Sequence, residues 1–216
     1  MAFAPTTTLP ELQFAVDDAQ PVRYAAAPTV GFTLRVSSDR PVRSLALNVQ
    51  IRIAPARRRY SDRDRERLVE LFGPPERWGE TLRTFRWDQQ TTLVPPFETT
   101  TSVELMVPCT YDLELASAKY FYALDDGEVP LEFLFSGTSF FTGERGALQT
   151  AQIPWEAEAA YRMPARVWRE AMELHFPGSA WLRVRGDVFD RLVAYKARRA
   201  LPTWEAAVTD LLDGRE

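Results

Sequence analysis

Residues 44–53 read SLALNVQIRI, and this stretch decides the fold. Apolar residues occupy every second position from Leu45 to Ile53, and small or polar residues occupy the positions between them. Because the side chains of a β-strand point alternately to opposite faces, this period of two predicts a strand with one buried face and one wet face. Such strands are typical of antiparallel sheets that pack one face on the core.

The same period of two recurs on both sides of this stretch, from about residue 12 to about residue 153. Turn signals separate the runs, among them DDG at residues 125–127 and TGERG at residues 142–146. Further strands are expected at residues 30–36, 84–94, 103–107, 111–115 and 131–135. A last strand is expected after the turn at 142–146 and ends at residue 153. About seven or eight short strands joined by turns predict an antiparallel β-sandwich.

One segment interrupts the strands and is expected to form a short helical insertion at about residues 60–73. Ser61 can cap the helix, and acidic residues follow in the first turn, where they suit the positive end of the helix dipole. Leu68 and Phe72 stand at helical spacing, and Gly73 ends the run. The pattern predicts about three turns of helix between two strands.

In the last quarter of the chain the apolar period changes to 3.6, which predicts helices. One helix is expected over 164–175, a second over 187–199 and a third after the capping residue Thr203. The predicted fold class is therefore α+β. We expect a β-sandwich domain at residues 1–155 and a C-terminal helical subdomain at residues 156–216 that packs on it.

The 216 residues include one cysteine, Cys109, and one histidine, His175. That count excludes an internal disulfide and the usual cysteine and histidine zinc sites within one copy of the chain. Neither a glycine-rich phosphate loop nor a GxSxG motif is present. The sequence therefore supplies no catalytic, cofactor-binding or metal-binding residues, and it favours a protein that is not an enzyme.

The charge balance argues against polyanionic partners, since 26 basic and 30 acidic residues give a net charge of −4. The first ten residues contain no basic residue and no apolar run, so we expect no targeting signal. No stretch approaches the roughly 20 apolar residues of a membrane-spanning helix. We expect a cytoplasmic protein that binds neither nucleic acid nor membrane.

Two groups of side chains leave chemistry open. Cys109 and His175 could form a thiolate–imidazole pair, although packing at a strand end and the dipole of a helix end also explain them. Acidic residues near the predicted turn at 125–127 could bind Ca²⁺ or hydrolyse a sugar if they converge within about 5–10 Å. These residues are Asp112, Glu114, Asp125, Asp126 and Glu128. A solvated turn and a solvated strand face explain them as well.

The densest run of charge, RRRYSDRDRER, covers residues 57–67. Its arginines could grip phosphate or the carboxylates of a partner, although the interleaved acids neutralise much of the field and favour a solvated helix face. Downstream, PPERWGE at residues 74–80 is a rigid turn that can present a tryptophan. Because arginine and tryptophan are enriched at protein interfaces, we expect protein contacts here. The candidate interaction residues are Arg57, Arg58, Arg59, Tyr60, Arg77 and Trp78.

Several motifs in combination carry a family resemblance. They are IRI at 51–53, RRRY at 57–60, LFG at 71–73, RWG at 77–79, PCTYD at 108–112, LDDGE at 124–128 and KARRALPTW at 196–204. Over nearly its full length the chain resembles an uncharacterised actinobacterial protein family, a domain of unknown function. That family is associated with gene neighbourhoods of uptake nickel–iron hydrogenases. The resemblance implies an accessory, assembly or scaffolding role and supplies no catalytic residues.

The sequence therefore favours a non-enzymatic accessory protein that acts through contacts with a protein partner or a second copy of itself. The alternative is a β-sandwich that binds or hydrolyses a small molecule or carbohydrate with the acidic residues. A third hypothesis, nucleic-acid binding through the arginine run, requires strongly salt-dependent binding and conflicts with the net charge.

Overall fold

The computed structural model describes residues 9–110, 112, 115–143, 146–179 and 183–214. The strands in these residues are β1 (Leu12–Pro21), β2 (Thr29–Ser38), β3 (Ser44–Ile53), β4 (Phe85–Val94), β5 (Thr100–Pro108), β6 (Glu128–Thr142), β7 (Leu148–Gln152) and β8 (Glu158–Pro164). They form two antiparallel sheets. One sheet has the order β1-β2-β5, and the other has the order β4-β3-β6. In the second sheet β8 pairs with the first half of β6, and β7 pairs with its second half.

Strand β3 lies inside the larger sheet, between β4 and β6, and confirms the alternation that the sequence predicts. Its apolar residues from Leu45 to Ile53 are fully buried, and the residues between them are half-buried. A strand with neighbours on both sides exposes no unpaired backbone edge, so side-chain alternation alone decides which face enters the core.

The two sheets pack face to face as a sandwich. Phe32 of β2 meets Phe133 of β6 edge to face, with ring centroids 5.2 Å apart. Phe14 of β1 stacks on Phe135 of β6 at 4.3 Å. Aromatic contacts of this kind between two inner faces fix the spacing of the sheets in addition to burying apolar area. The α+β fold with antiparallel sheets is therefore confirmed.

Helices in the described residues are α1 (Asp62–Phe72), α2 (Trp78–Thr81), α3 (Ala116–Ala123), α4 (Ala165–His175), α5 (Gly186–Arg198) and α6 (Trp204–Asp213). The expected insertion is α1. Ser61 caps it through a capping box, since its hydroxyl accepts from the Asp64 N–H and the Asp64 carboxylate accepts from the Ser61 N–H. Thr203 likewise caps α6 by accepting from the Ala206 N–H.

Helix α3 lies between the strand expected at 111–115 and the turn expected at 125–127, where the sequence predicted no element. Leu115 lies immediately before this helix, and the other two apolar residues of that expected strand, Tyr111 and Leu113, lie outside the described residues. Three or four residues of apparent alternation could not reveal that Tyr120 and Phe121 are both fully buried on a helix that contacts α1 and α4. The burial of these two rings depends on contacts that are distant in sequence, which a local pattern does not encode.

Strand β8 is a second element that the sequence did not indicate, because the period-two signal ended at residue 153. Its sequence, EAAYRMP, is rich in alanine, which has weak β-propensity. Pairing with the first half of β6 nevertheless supplies its backbone hydrogen bonds. The result is a wider sheet than predicted, and α4 follows directly from its last strand.

The chain divides into two compact units, Met1–Ala180 and Trp181–Glu216. The first contains every strand of the described residues together with α1 to α4, so β8 and α4 belong to it although they follow residue 155. In the second unit α5 and α6 form a helical hairpin, in which Arg199 pairs with Asp210 at 3.4 Å. The docking of the C-terminal helices on the sandwich stays a prediction. Within the described residues, every helix is too short or too polar to cross a lipid bilayer.

Candidate functional site

Cys109 and His175 each have partners that explain their positions. The buried Cys109 thiol points to the Val107 carbonyl at 3.8 Å, and burial raises its pKa to about 12, which keeps it a neutral thiol at pH 7. The ring nitrogens of His175 lie 3.2 Å from the Ala171 carbonyl oxygen and 3.0 Å from the Ala25 carbonyl oxygen. The imidazole therefore joins the end of α4 to the loop between β1 and β2. Packing accounts for the position of Cys109.

The acidic residues of the turn before β6 all face arginines. Asp125 lies 2.7 Å from Arg67 and 3.1 Å from Arg63, both on α1. Asp126 lies 3.9 Å from Arg169, and Glu128 lies 3.9 Å from Arg162. These carboxylates thus join the turn to α1, α4 and β8.

The remaining two acidic candidates lie before α3. The Asp112 N–H donates to the Thr110 hydroxyl at 3.0 Å, and Glu114 lies outside the described residues. Within the described residues, no three cysteine, histidine or acidic side chains come together in an arrangement that could hold a metal ion.

Arg58 forms a buried ion pair with Asp64, and the two side chains are only 7% and 5% exposed. One guanidinium nitrogen, Nη2, lies 3.5 Å from the Asp64 carboxylate and donates to the Asp126 carbonyl at 3.1 Å. Asp64 also accepts from the Asp125 N–H at 3.0 Å. The pair therefore ties the segment after β3 and the start of α1 to the turn before β6.

Tyr60 and Trp78 also point inward. The Tyr60 hydroxyl donates to the Pro55 carbonyl at 2.8 Å and shares a hydrogen bond of 2.8 Å with the Tyr120 hydroxyl. Burial raises the pKa of both tyrosines above the usual value of 10.0. The Trp78 indole donates to the Gly73 carbonyl at 2.8 Å, and its ring meets Tyr60 edge to face at 5.2 Å. These two aromatic residues hold α1 and α2 on the core.

An open cleft of about 520 Å³ lies beside this buried network. Its lining comes from the segment after β3, the turn before β6 and the outer face of β8. The lining residues are Ala56, Arg57, Arg58, Arg59, Gly127, Glu128 and Arg162. We call this feature the arginine cleft.

Backbone and ion-pair contacts assemble the arginine cleft from these separate segments. Arg162 on β8 donates to the Arg57 carbonyl at 3.4 Å, which holds the strand against the segment after β3. The Arg57 side chain pairs with Glu132 on β6 at 2.8 Å. Glu132 and Glu128 stand on the outer face of β6 because the odd-numbered residues of this part of the strand point into the core.

The six candidate interaction residues therefore do not form one surface. Arg57 and Arg59 are exposed and line the cleft, and Arg58 lines it from a buried position. Arg77 is exposed but lies outside the cleft lining. The sequence reasoning missed Arg162, whose outward position follows from side-chain alternation only once β8 is recognised as a strand.

Comparisons with known proteins give one family and no characterised relative. A family model described as a family of unknown function, DUF6084, matches residues 9–216. The comparison with curated protein sequences produced no match.

Similar solved structures resemble the chain only loosely. The CARDB domain of a Pyrococcus furiosus protein in complex with di-metal ions is 9% identical, with 71% of this chain and 91% of that chain covered and a TM-score of 0.28. β-Glucosidase 3B from Thermotoga neapolitana is 12% identical, with 72% of this chain and 17% of that chain covered and a TM-score of 0.25. A β-glucosidase from Kluyveromyces marxianus is 11% identical, with 73% and 15% covered and a TM-score of 0.24. Superpositions this loose transfer neither a fold nor an activity.

Proposed function

The chain belongs to the DUF6084 family, and we propose that it is a non-enzymatic accessory protein that acts by binding a partner protein. Its surface in the C-terminal unit carries the proposal. There the two helices of the hairpin, together with Val184 just before them, present apolar residues that are each 38% to 68% exposed. These residues are Val184, Val188, Phe189, Val193, Trp204, Val208, Leu211 and Leu212.

Such a hairpin lacks a core of its own. Ala207 is the one buried residue of α5 and α6 in the described part of the chain, and the ring contact between Phe189 and Trp204 at 5.4 Å leaves both rings over 40% exposed. Amphipathic helices gain most of their stability by packing an apolar face on another surface, and contiguous exposed apolar patches mark interaction sites. This arrangement supports protein contact as the function of the unit.

The family resemblance supplies the first partner to test. It implies an assembly or scaffolding role beside an uptake nickel–iron hydrogenase in an actinobacterial cytoplasm. A partner of that class presents a protein surface. Such a surface fits the apolar face of a helical hairpin better than a small ligand does. A second copy of the chain competes for this face in solution. The sandwich of the same chain, on which the sequence predicts that these helices pack, is the other competing occupant.

Affinity purification from the organism that encodes the chain tests the proposal. We expect the tagged chain to recover a hydrogenase component, and the contact to be reproduced with the two purified proteins. Leu212→Glu and Val208→Glu should abolish that contact, because they place charges on the apolar face. Thr209→Glu adds the same charge to an exposed polar position of α6 and should leave it intact.

Light scattering of the purified chain distinguishes a second copy of the chain from a hydrogenase component as the occupant of the apolar face. A dimer that Leu212→Glu dissociates would replace the hydrogenase partner with a second copy. A monomer that binds no protein, with all three variants behaving alike, would contradict the proposal.

A further inference from the structure

We propose that the arginine cleft binds the carboxylate side chains of an acidic peptide segment. The site lies on the first unit, apart from the residues that carry the proposed function. It deepens that function only in naming the chemistry of a second contact with a protein partner. Four arginines line the cleft. Three of them pair with carboxylates, those of Glu132, Asp64 and Glu128, and Arg59 pairs with none in the described part of the chain. Guanidinium groups are the side chains that pair with carboxylates in bidentate geometry.

Two arginines of the lining keep donors free for a ligand. Arg59 is exposed and pairs with no carboxylate in the described part of the chain. Arg162 donates one hydrogen bond, to the Arg57 carbonyl at 3.4 Å, and its ion pair with Glu128 is 3.9 Å long, beyond hydrogen-bond distance, so its other N–H groups can bind a ligand. By contrast, the arginines of α1 that follow in sequence, Arg63 and Arg67, are both occupied by Asp125. The cleft therefore keeps one arginine that pairs with no carboxylate, Arg59, whereas Arg63 and Arg67 both contact a carboxylate directly.

Arg58 gives the cleft a fixed cationic wall. Its side chain is held by Asp64 and by the Asp126 carbonyl, and its guanidinium lies 5.0 Å from the centre of the Tyr60 ring. The side chain is 7% exposed and its Nη1 atom is buried, so Arg58 contributes a fixed positive charge to the wall and not a donor that a ligand can reach. A group that is already immobilised loses little conformational entropy when a ligand binds.

Gly127 places no side chain against the Arg58 guanidinium. It adopts a φ of +86°, and a β-carbon at this position would stand 3.6 Å from Arg58 Nη2. Any side chain here would therefore cover the guanidinium edge. A turn that places glycine at this point leaves the Arg58 edge free of side-chain cover.

The open shape of the cleft favours a chain segment over an enclosed small molecule. The Arg57 and Arg162 side chains are 61% and 58% exposed, whereas small-molecule pockets bury most of the ligand surface. Glu128 stands in the same wall and repels a compact phosphate dianion more strongly than a single carboxylate. Carboxylates spaced along a peptide satisfy both conditions.

Fluorescence anisotropy with a labelled peptide of alternating glutamate and glycine tests the inference without any cellular partner. We expect saturable binding at about 50 mM salt that weakens as salt rises, because exposed charges are screened. Arg59→Gln and Arg162→Gln should each weaken binding about tenfold, the effect of losing one charge-assisted hydrogen bond. Arg77→Gln, which removes an exposed arginine outside the cleft lining, should stay within about twofold of wild type. Glu128→Gln should strengthen binding.

Competitors decide the class of ligand. Inorganic phosphate or a single-stranded oligonucleotide that displaces the peptide at equal or lower concentration would overturn the proposal. So would the absence of peptide binding, or an equal loss in Arg77→Gln and Arg59→Gln. Leu212→Glu should bind the peptide like wild type. If the peptide does not bind the cleft, the proposed contact through the hairpin is unaffected. If the hairpin binds no partner, the proposed binding of an acidic peptide by the cleft is unaffected.

Discussion

Arg58 and Asp64 show how one buried charge can organise a surface. Both side chains are almost fully buried, yet their partners include backbone groups of two other segments. A buried ion pair adds little net stability compared with apolar packing, but removal of one partner leaves the other charge without compensation. Its structural effect is to fix the position of the turn that forms one wall of the arginine cleft.

We expect Arg58→Met and Asp64→Asn each to lower the free energy of unfolding by about 3–5 kcal/mol, because each strands a buried partner. The double variant should cost less than the sum of the two, with a coupling of about 1–3 kcal/mol. Urea unfolding at pH 7 measures all three. Arg57→Gln removes an exposed arginine that also forms an ion pair and should cost less than about 1 kcal/mol. Equal losses for Arg58→Met and Arg57→Gln would contradict the buried pair.

Cys109 predicts an alkaline limit to stability. Its ordinary pKa is 9.0, and burial raises the pKa to about 12 in the folded chain. The stabilising contribution is therefore complete below pH 9 and is lost as pH rises towards 12, with a slope of up to about 1.4 kcal/mol per pH unit. Urea unfolding between pH 8 and pH 11 should show little slope from this thiol below pH 9 and a slope above pH 9 in wild type, and a smaller slope above pH 9 in Cys109→Ala. An unchanged slope would place the thiol in water.

At the scale of elements, strong local signals were predictable and long-range pairing was not. Strand β3 follows from its alternation and α1 from its cap and stop residue, since both depend on neighbours in sequence. Strand β8 depends on β6, and α3 depends on the contacts of its aromatic residues, so no local pattern identified them.

The candidate site divides in the same way. The exposure of Arg57 and Arg59 follows from a charged run, whereas the burial of Arg58 depends on a turn 68 residues away. Arg162 joins the cleft only through the register of β8 on β6, in which it stands opposite Pro130. Physical pairing across the sheet, rather than sequence spacing, therefore sets which arginines act together.

Gly137 of β6 provides a test of the β3–β6 register. It pairs with Leu47 and adopts a φ of +132°, and a β-carbon there would stand 2.0 Å from the Ala46 carbonyl oxygen. Gly137→Ala should therefore lower the free energy of unfolding by at least about 3 kcal/mol, because strain and steric overlap combine. Gly79→Ala places a methyl group in open space and should change stability by less than about 1 kcal/mol. Similar melting temperatures for the two variants would contradict the register.

At the scale of the whole molecule, the buried core cluster of the described residues lies in the first unit. Every residue of the buried core cluster lies between Val16 and Ala171. The last part of that core comes from β8 and α4, which supply Met163, Ala165, Val167, Trp168 and Ala171. A truncation after residue 180 therefore leaves this core complete, whereas a truncation after residue 155 removes its last part.

Two truncations follow from this distribution. A fragment of residues 1–180 retains every residue of the buried core cluster and should unfold cooperatively. Its melting temperature, compared with that of the full chain, tests the predicted docking of the C-terminal helices. A fragment of residues 1–155 should fail to unfold cooperatively, because β6 loses its β8 partner and Phe121 loses the Trp168 ring stacked on it at 5.4 Å. Calorimetry and near-ultraviolet circular dichroism measure both. A stable fragment 1–155 would place the domain boundary before β8, and a large drop in melting temperature for fragment 1–180 would show that the C-terminal hairpin stabilises the sandwich.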